Sequence, residues 1–251
     1  MDLPMQAFKQ RVKRDFSSAA HHYHRKASWQ KSVAENLLKR FNPYIAAPVL
    51  DIGCGTGFIA EKQKPLHSVT QIDIAPEMCR QASHFGPVAA MDMEALALKS
   101  ATFRTVTSSL ALQWSLEIDK TCGGVFRVLQ PGGYFIFATL ANPTLSELRE
   151  VVGSEKMHPF LEVEEMEHAL KRAGFKDIEL QVHKERREYA DFRMLLQDIK
   201  NVGATHKNGR VRGLLGKARF ERKAATYKER FASEGGVYAT WEVVYGIARK
   251  S

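Results

Sequence analysis

The sequence contains no uninterrupted apolar run long enough to cross a membrane, although 44% of its 251 residues are hydrophobic. Residues 1–14 are polar and basic and lack the apolar core of a secretory signal. These absences argue against membrane-embedded and secreted proteins. We therefore expect a globular protein of the cytoplasm, with one large domain or a domain that carries a substantial insertion.

Cysteine is scarce. The three thiols, Cys54, Cys79 and Cys122, do not show the paired spacing of metal ligands, so the sequence does not predict a zinc site. The histidines within residues 21–24 lack the nearby carboxylate or thiolate ligands that would complete a metal site. We therefore expect no metal, and a reducing compartment suits the free thiols.

Acidic residues are outnumbered by basic ones, which gives a formal net charge of +9. Residues 207–230 hold nine Lys or Arg and two Glu, so this segment alone contributes nine minus two, or +7. Such an excess favours an acidic partner. Nucleic acid and an acidic carrier protein are both compatible with it, and charge alone does not choose between them.

A strand followed by a glycine turn and a helix start occupies residues 49–60. Val49, Leu50 and Ile52 read as a short buried strand, and helical spacing resumes at Phe58. Every second residue of the turn is glycine: Gly53, Gly55 and Gly57. A strand, a glycine turn and a helix N-terminus in this order are typical of a nucleotide-cofactor site.

Carboxylates at strand ends narrow the type of cofactor. Asp51 precedes the glycines, Asp73 ends a second strand, and Asp92 follows a third strand at 88–91. At these places Asp73 can accept hydrogen bonds from ribose hydroxyls, and Asp92 can accept one from an adenine amino group. Asp92 also suits a helix cap. The Asp-x-Gly-x-Gly-x-Gly order differs from the NAD fingerprint. It resembles motif I of class I S-adenosylmethionine (AdoMet) methyltransferases.

A fourth strand, 105–110, leads to Gln113 and Trp114, which we expect to lie over the methyl group of the cofactor. Trp114 also suits a core position, whereas Gln113 has no evident structural role in the sequence. Alternating strands and helices predict a doubly wound, Rossmann-like parallel sheet, in which ligands bind beyond the carboxyl ends of the strands. Asp51, Asp73, Asp92 and Gln113 all fall at such ends.

The predicted organisation has four parts. An N-terminal helical cover (1–42) precedes the AdoMet-binding core (43–189). A helical lid insertion (190–235) follows strand six, and a last strand (236–251) completes the core sheet. Because the lid would leave a carboxyl end of the sheet, we expect it above the pocket, with its basic face available to an acidic partner.

Four segments together resemble the BioC family, the malonyl-acyl-carrier protein O-methyltransferases of biotin synthesis: Leu50–Gly57, Asp92–Leu96, Leu110–Trp114 and Arg127–Gly133. Similarity also extends over Phe16–Gln30 and Leu196–Ala204, so it covers most of the chain. The resemblance implies methyl transfer from AdoMet to the free carboxylate of a malonyl thioester on acyl-carrier protein or CoA, without a metal. The sequence also leaves open a methyltransferase for another small carboxylate or RNA, and a non-catalytic AdoMet-binding or carrier-binding protein.

The family resemblance and the strand-end positions together assign roles to individual residues. The cofactor-binding set is Asp51, Gly53, Gly55, Gly57, Asp73, Ile74, Asp92, Met93 and Ser109. The transfer-site set is Tyr23, Gln113, Trp114 and Lys200, with Arg187 in reserve for orienting the substrate carboxylate. The surface expected to dock the carrier comprises the basic N-terminal helix and the lid residues Arg212, Lys217, Arg219, Arg222 and Lys223.

Three departures from the family pattern concern local stability and the level of activity. Arg104 replaces an acidic residue before strand four, and Ser109 stands where Asn is frequent. An acidic residue usual before Arg127 is replaced around Gly123–Gly124, where the two glycines weaken a predicted helix. Each helix-interior glycine costs roughly 1 kcal/mol relative to alanine. None of the departures removes a cofactor carboxylate.

Overall fold

The computed structural model describes residues 3–64, 68–154, 157, 159–202 and 217–251. The α-helices are α1 (Leu3–Lys26), α2 (Ser28–Phe41), α3 (Phe58–Gln63), α4 (Pro76–Ala82), α5 (Ile118–Val128), α6 (Ser146–Val152), α7 (Val163–Ala173), α8 (Phe192–Val202) and α9 (Lys217–Arg230). The strands are β1 (Val49–Ile52), β2 (Val69–Asp73), β3 (Val88–Ala90), β4 (Phe103–Ser109), β5 (Leu129–Leu140), β6 (Lys176–Tyr189), β7 (Ala232–Ser233) and β8 (Gly236–Arg249). No helix in these ranges is both long and apolar enough to span a membrane.

The sheet has the strand order β3-β2-β1-β4-β5-β8-β6. The pairs β3–β2, β2–β1, β1–β4 and β4–β5 are parallel, which confirms the predicted doubly wound Rossmann-like fold. β1 is buried along its whole length, as expected for a central parallel strand with helices on both faces. The strand order reverses direction between β1 and β4, and ligands bind at such a switch point in open α/β sheets.

Residue contacts divide the chain into two compact units. The first unit comprises the chain up to Thr139 together with Val163–Gln181 and Val244–Ser251. The second comprises Leu140–Glu162 and Val182–Val243. The helices of the predicted lid, α8 and α9, therefore share a unit with α6, which the predicted boundaries of 190–235 left in the core. The placement of a lid above the pocket stays a prediction.

The second unit has an aromatic core of its own. Tyr227 of α9 is fully buried, and its hydroxyl donates to the Tyr238 carbonyl oxygen at 2.8 Å. The Phe192 ring of α8 lies 5.1 Å from the Tyr227 ring and 5.8 Å from that of Phe220. These contacts join α8 to α9 and leave the polar side of α9 exposed.

The segment Arg127–Gly133 predicts that a helix ends at a Pro-Gly-Gly turn with positive φ and that a fifth strand then runs from Tyr134 to Leu140. The predicted start of this strand is wrong. β5 begins at Leu129, directly after the helix, and not at Tyr134, because Leu129 already pairs with Phe103. The expected positive φ does occur in the Pro-Gly-Gly segment, at Gly132 (φ 76°), but inside an irregular strand. Next to it, a Cβ on Gly133 would lie 2.8 Å from the Arg104 carbonyl oxygen, so the close approach of β5 to β4 at this point requires glycine.

Gly123 of α5 offers a simple test of the predicted helix weakness. A Cβ at Gly123 would meet no atom within 4 Å, so we expect Gly123→Ala to stabilise the protein by about 0.5–1 kcal/mol. The midpoint of thermal unfolding should rise by about 1–4 °C. Gly174→Ala is the matched control. Because Gly174 has φ 101° and its Cβ would lie 3.0 Å from the Phe126 ring, this change should lower the midpoint. A Gly123→Ala variant less stable than wild type would contradict the interpretation.

Candidate active site

The glycine loop lies tightly between β1 and the segment after β4. The amides of Gly53 and Cys54 both donate to the Ile72 carbonyl oxygen, at 2.8 and 3.0 Å. Gly53 has φ 68°, and a Cβ there would lie only 2.3 Å from the Ala111 Cβ. The loop can therefore approach its neighbour this closely only with glycine at position 53.

Gly57 has a structural part in this loop. It precedes α3 in the left-handed conformation (φ 86°), and a Cβ there would lie 2.8 Å from the Phe85 ring. Two neighbouring clefts adjoin the loop, and Gly57 lines neither of them, whereas Gly53 and Gly55 line both. Gly57 therefore supports the loop through packing, and its predicted contact with the cofactor stays a prediction.

Asp73, at the end of β2, fixes the loop from the other side. Its carboxylate accepts hydrogen bonds from the Gly55 amide (2.9 Å) and the Ala75 amide (2.8 Å). Burial raises the pKa of Asp73 to about 6, against the lowering effect of these two bonds. Since each carboxylate oxygen can accept a further hydrogen bond, the predicted ribose contact remains compatible with this geometry.

Asp51, one residue before the carboxyl end of β1, carries an unsatisfied buried oxygen. Its Oδ1 accepts the Thr107 hydroxyl at 2.9 Å, while Oδ2 is buried without a hydrogen-bond partner among the described residues. Burial, together with the charge of nearby Asp73, raises the pKa of Asp51 to about 7, against the lowering effect of the Thr107 hydrogen bond. A carboxylate in this state is suited to a ligand that brings a positive charge.

The two clefts both belong to the first unit. The first has an empty volume of about 720 Å³ including its open mouth, and its lining includes Lys9, Phe16, Asp73, Ile74, Asp92, Met93, Glu94 and Trp114. The second, of about 460 Å³, is lined in part by Gln30, Lys31, Asp51, Cys54 and Phe58. Residues common to both are Tyr23, Gly53, Gly55 and Ser109. The Ser109 hydroxyl, like Asp51 Oδ2, is buried without a hydrogen-bond partner in the described part of the chain.

The prediction that Asp92 could be a helix cap was wrong, because no helix follows it. Asp92 instead caps a turn, with Oδ1 accepting the Glu94 amide at 3.0 Å. Its Oδ2 accepts the Lys9 ammonium at 2.6 Å. The carboxylate therefore lies in the cleft wall in a fixed orientation, with remaining lone pairs for an adenine amino group.

The transfer-site residues of the first unit have different surroundings. Trp114 lines the first cleft between two rings of α1, 6.3 Å from Phe8 and 5.6 Å from Phe16. Gln113 does not line either cleft, and the expectation that it has no structural role was wrong. Its amide donates to the Leu110 carbonyl oxygen at 2.9 Å and accepts the Thr139 hydroxyl at 3.2 Å. Gln113 thus joins the ends of β4 and β5.

The predicted carboxylate-orienting residues lie in the second unit. Arg187 forms an ion pair with Asp198 at 2.6 Å, and its guanidinium lies over the rings of Tyr189 and Trp241. These contacts make it a poor reserve for a substrate carboxylate. Lys200 belongs to α8, but its side chain lies outside the described residues. Its predicted role stays a proposal.

The basic surface of α9 is narrower than the sequence indicates. Arg219 and Arg222 are exposed, whereas Lys223 donates to the Val151 carbonyl oxygen at 2.6 Å. Arg212 and the side chain of Lys217 lie outside the described residues. The described lid part of the predicted docking surface therefore depends chiefly on Arg219 and Arg222, and the contribution predicted for the basic N-terminal helix stays a prediction.

Three charged residues that line the clefts were missed by the sequence prediction. They are Lys9 of α1, Lys31 of α2 and Glu94 after β3. Lys31 follows Gln30 of the family-like segment, and Glu94 stands in the family-like Asp92–Leu96 segment, so proximity to a motif was the available signal. Lys9 has no such signal beyond its place between the buried Phe8 and Val12.

The fold and the site define a class of protein. A family model described as "Methyltransferase domain" matches residues 50–137. Solved structures of similar fold include the YcgJ protein of Bacillus subtilis, with 15% identity, a TM-score of 0.65 and coverage of 86% of this chain and 98% of the other. A SAM-dependent methyltransferase of Archaeoglobus fulgidus has 16% identity and a TM-score of 0.57, with coverage of 88% of this chain and 94% of the other. The protein is a class I AdoMet-dependent methyltransferase.

Sequence relatives then specify the family. The malonyl-acyl-carrier protein O-methyltransferase of Laribacter hongkongensis is 35% identical over 264 residues, covering 96% of this chain and 89% of the relative. The enzyme of that name from Geobacter sulfurreducens is 31% identical, with 96% and 99% covered. In Saccharophagus degradans, the biotin biosynthesis bifunctional protein BioHC matches with 32% identity, covering 94% of this chain and 45% of that protein. The chain belongs to the malonyl-acyl-carrier protein O-methyltransferase family.

Proposed function

We propose that this protein transfers a methyl group from AdoMet to the free carboxylate of a malonyl thioester on acyl-carrier protein, an early step of biotin synthesis in the cytoplasm. The observation that carries the proposal is family similarity along 94–96% of the chain, combined with an intact set of cleft carboxylates. Methylation masks the carboxylate charge, so that enzymes of fatty-acid synthesis can elongate the unit.

The two clefts fit AdoMet by their chemistry. The second cleft offers the unsatisfied Asp51 oxygen to an α-ammonium group, and Lys31 and Gln30 are placed to receive the methionine carboxylate. The first cleft offers Asp73 to ribose hydroxyls and Asp92 to the adenine amino group. When bound there, AdoMet supplies an electrophilic methyl group on its sulfonium.

The proposed reaction requires little acid–base catalysis from the protein. A malonyl carboxylate is already ionised near neutral pH, so no general base is required. Burial raises the pKa of Tyr23, which keeps its hydroxyl protonated and able to donate a hydrogen bond. The rings of Phe8, Phe16 and Trp114 exclude water from this end of the first cleft. Catalysis would therefore depend on alignment and on exclusion of water.

The departures from the family pattern do not favour a non-catalytic protein. Arg104 is exposed on β4, and a Cβ added at Gly124 would lie 3.4 Å from the nearest atom of the Leu96 side chain, an ordinary contact distance. Neither residue lines a cleft. Ser109 does, and it keeps a hydroxyl that can donate and accept hydrogen bonds. None of the three departures therefore removes a carboxylate from the proposed cofactor site.

The function is tested by incubating the protein with AdoMet and malonyl-acyl-carrier protein and measuring the intact mass of the carrier. We expect a gain of one methyl group, removed by ester hydrolysis. Acetyl-acyl-carrier protein, which has no free carboxylate, should gain nothing. AdoMet binding without any mass gain would support a non-catalytic protein. Methylation of RNA or of a free dicarboxylate in preference to the carrier would show that the methyl acceptor is not the malonyl carrier.

Lys200 is the residue we propose for orienting the malonyl carboxylate, on the basis of family similarity in Leu196–Ala204. Loss of a hydrogen bond to a charged group costs about 1.5 kcal/mol or more, so Lys200→Ala should lower kcat/KM by at least about tenfold. The affinity for S-adenosylhomocysteine should not change. Lys171→Ala, on the exposed side of α7, serves as the control. Unaltered kcat/KM on malonyl carrier in Lys200→Ala would exclude this role.

A further inference from the structure

Glu94 forms hydrogen bonds to two separate segments of the chain and takes no direct part in the proposed methyl transfer. Its side chain is only 4% exposed, although no helix or strand contains it. One carboxylate oxygen, Oε1, accepts the Leu116 amide (2.5 Å), the Glu117 amide (3.1 Å) and the Ser115 hydroxyl (3.1 Å). The other, Oε2, accepts the ammonium group of Lys9. The two oxygens thus hold two different segments of the chain.

The segment on the Oε1 side positions Trp114. Ser115, Leu116 and Glu117 connect the 3-10 helix Leu112–Trp114 to the start of α5. Because Glu94 accepts three hydrogen bonds from consecutive residues, it fixes the path of this connection directly after the indole ring. A carboxylate that accepts several backbone hydrogen bonds is strongly directional.

The segment on the Oε2 side is α1. Lys9 is 12% exposed and is shared between Glu94 and Asp92, whose Oδ2 lies 2.6 Å from its nitrogen. Burial alone would lower the pKa of Lys9, but the hydrogen bonds and charges of the two acids raise it. Lys9 therefore remains a cation that fastens α1 to the residues after β3.

Aromatic rings also connect α1 to Trp114. Phe8 and Phe16, on either side of Lys9 in α1, both contact the Trp114 ring. The first cleft receives four lining residues from α1: Lys9, Val12, Phe16 and Tyr23. If α1 moves away, Glu94 loses the Lys9 cation and Trp114 loses both ring contacts. Because these contacts are lost together, the closure of α1 and the placement of Trp114 are cooperative.

We propose that Glu94 is a positioning residue of the methyltransferase, which links closure of α1 over the cofactor to the placement of Trp114 at the transfer site. It is not a catalytic residue, because its oxygens are engaged by Lys9 and by residues 115–117. The inference deepens the proposed function and depends on it for the consequence in catalysis, but the link itself is a property of the protein without ligand.

The test is a double-mutant cycle on Lys9 and Glu94. Glu94→Gln retains an amide oxygen for Leu116 and Glu117 and removes one of the two negative charges that hold Lys9, the other being that of Asp92. Lys9→Met retains the unbranched apolar part of the side chain and removes the cation. Each change should weaken S-adenosylhomocysteine binding by about tenfold. The double variant should be no weaker than Lys9→Met alone, because Lys9→Met already removes the ion pair that Glu94→Gln removes. Gln10→Met, at an exposed neighbouring position, is the control and should bind like wild type.

Hydrogen exchange of α1 in the ligand-free protein gives a second, independent readout. Both single variants should exchange the α1 amides faster than wild type, while Gln10→Met should not. Additive losses of affinity, about 100-fold in the double variant, would overturn the proposal. Unchanged α1 exchange in Lys9→Met would overturn it as well, even if Glu94→Gln failed to fold.

The two proposals can fail separately. A wild-type protein that binds no S-adenosylhomocysteine would overturn the proposed function, whereas α1 exchange would still decide the role of Glu94. A wild-type protein that methylates malonyl carrier, with α1 exchange unaffected by Lys9→Met, would retain the function and exclude the link.

Discussion

Asp51→Asn should weaken binding of AdoMet and S-adenosylhomocysteine by at least about 100-fold. The wild-type carboxylate presents a buried, unsatisfied oxygen to the second cleft, and the α-ammonium group supplies the missing cation. Removing one member of a buried ion pair costs about 3–5 kcal/mol. Isothermal titration calorimetry with S-adenosylhomocysteine measures this loss directly, without dependence on the methyl acceptor.

The same substitution should stabilise the ligand-free protein above neutral pH. Burial raises the pKa of Asp51 to about 7 from an unfolded value of 3.8, so the folded state binds more protons between these values. Stability therefore falls as pH rises from about 4 to 7 and is level above that range. Asp73, with a pKa raised to about 6, adds to this trend. In Asp51→Asn the decline should be shallower, and thermal unfolding at pH 8 should occur at a higher temperature than in wild type.

Asp119→Asn is the matched control, because this exposed carboxylate only forms a surface ion pair with Arg172. It should leave cofactor affinity unchanged and alter stability by less than about 1 kcal/mol. Wild-type affinity in Asp51→Asn would refute the assigned role. A thermal midpoint that falls at pH 8 with Asn at position 51 would show instead that Asp51 is structurally required.

The cofactor end of the site was predictable because its signals are local in sequence. Asp51 and the glycines lie within seven residues, and the positions of Asp73 and Asp92 follow from where strands end. In a parallel sheet the carboxyl ends of neighbouring strands meet at one edge. The strand order from β3 to β4 then brings the three acids together without further information.

The remaining features depend on contacts between distant residues. Gln113 is held by Thr139, 26 residues away, so its structural role is invisible in the residues around it. Lys9 and Glu94 are separated by 85 residues, and only the folded chain places a lysine of α1 beside that acid. Likewise, the start of β5 at Leu129 is set by pairing with Phe103, which overrides the local Pro-Gly-Gly signal. Tertiary contact decided each of these cases.

Reversing two charges on α9 should impair use of the carrier protein selectively. In Arg219→Glu/Arg222→Glu, we expect KM for malonyl-acyl-carrier protein to rise by about 30-fold or more. Attraction becomes repulsion at an exposed basic surface, and steering effects of this kind reach 10–10³-fold in association rate. Lys223 is not changed, because its hydrogen bond to Val151 supports the packing of α9 on α6. Steady-state kinetics with the intact carrier measures the effect.

A small substrate distinguishes a loss of carrier docking from general damage to the protein. Malonyl-pantetheine, which has neither the acidic carrier nor a phosphate, should be methylated by the double variant with unaltered KM and kcat. Lys39→Glu/Lys64→Glu changes the net charge by the same amount at two exposed positions of the first unit and should not affect use of the carrier. The wild-type KM for the carrier should rise with salt, because screening weakens exposed charges, while the variant should show little salt dependence. Equal losses on carrier and on malonyl-pantetheine would mean that α9 acts on catalysis or folding and does not dock the carrier.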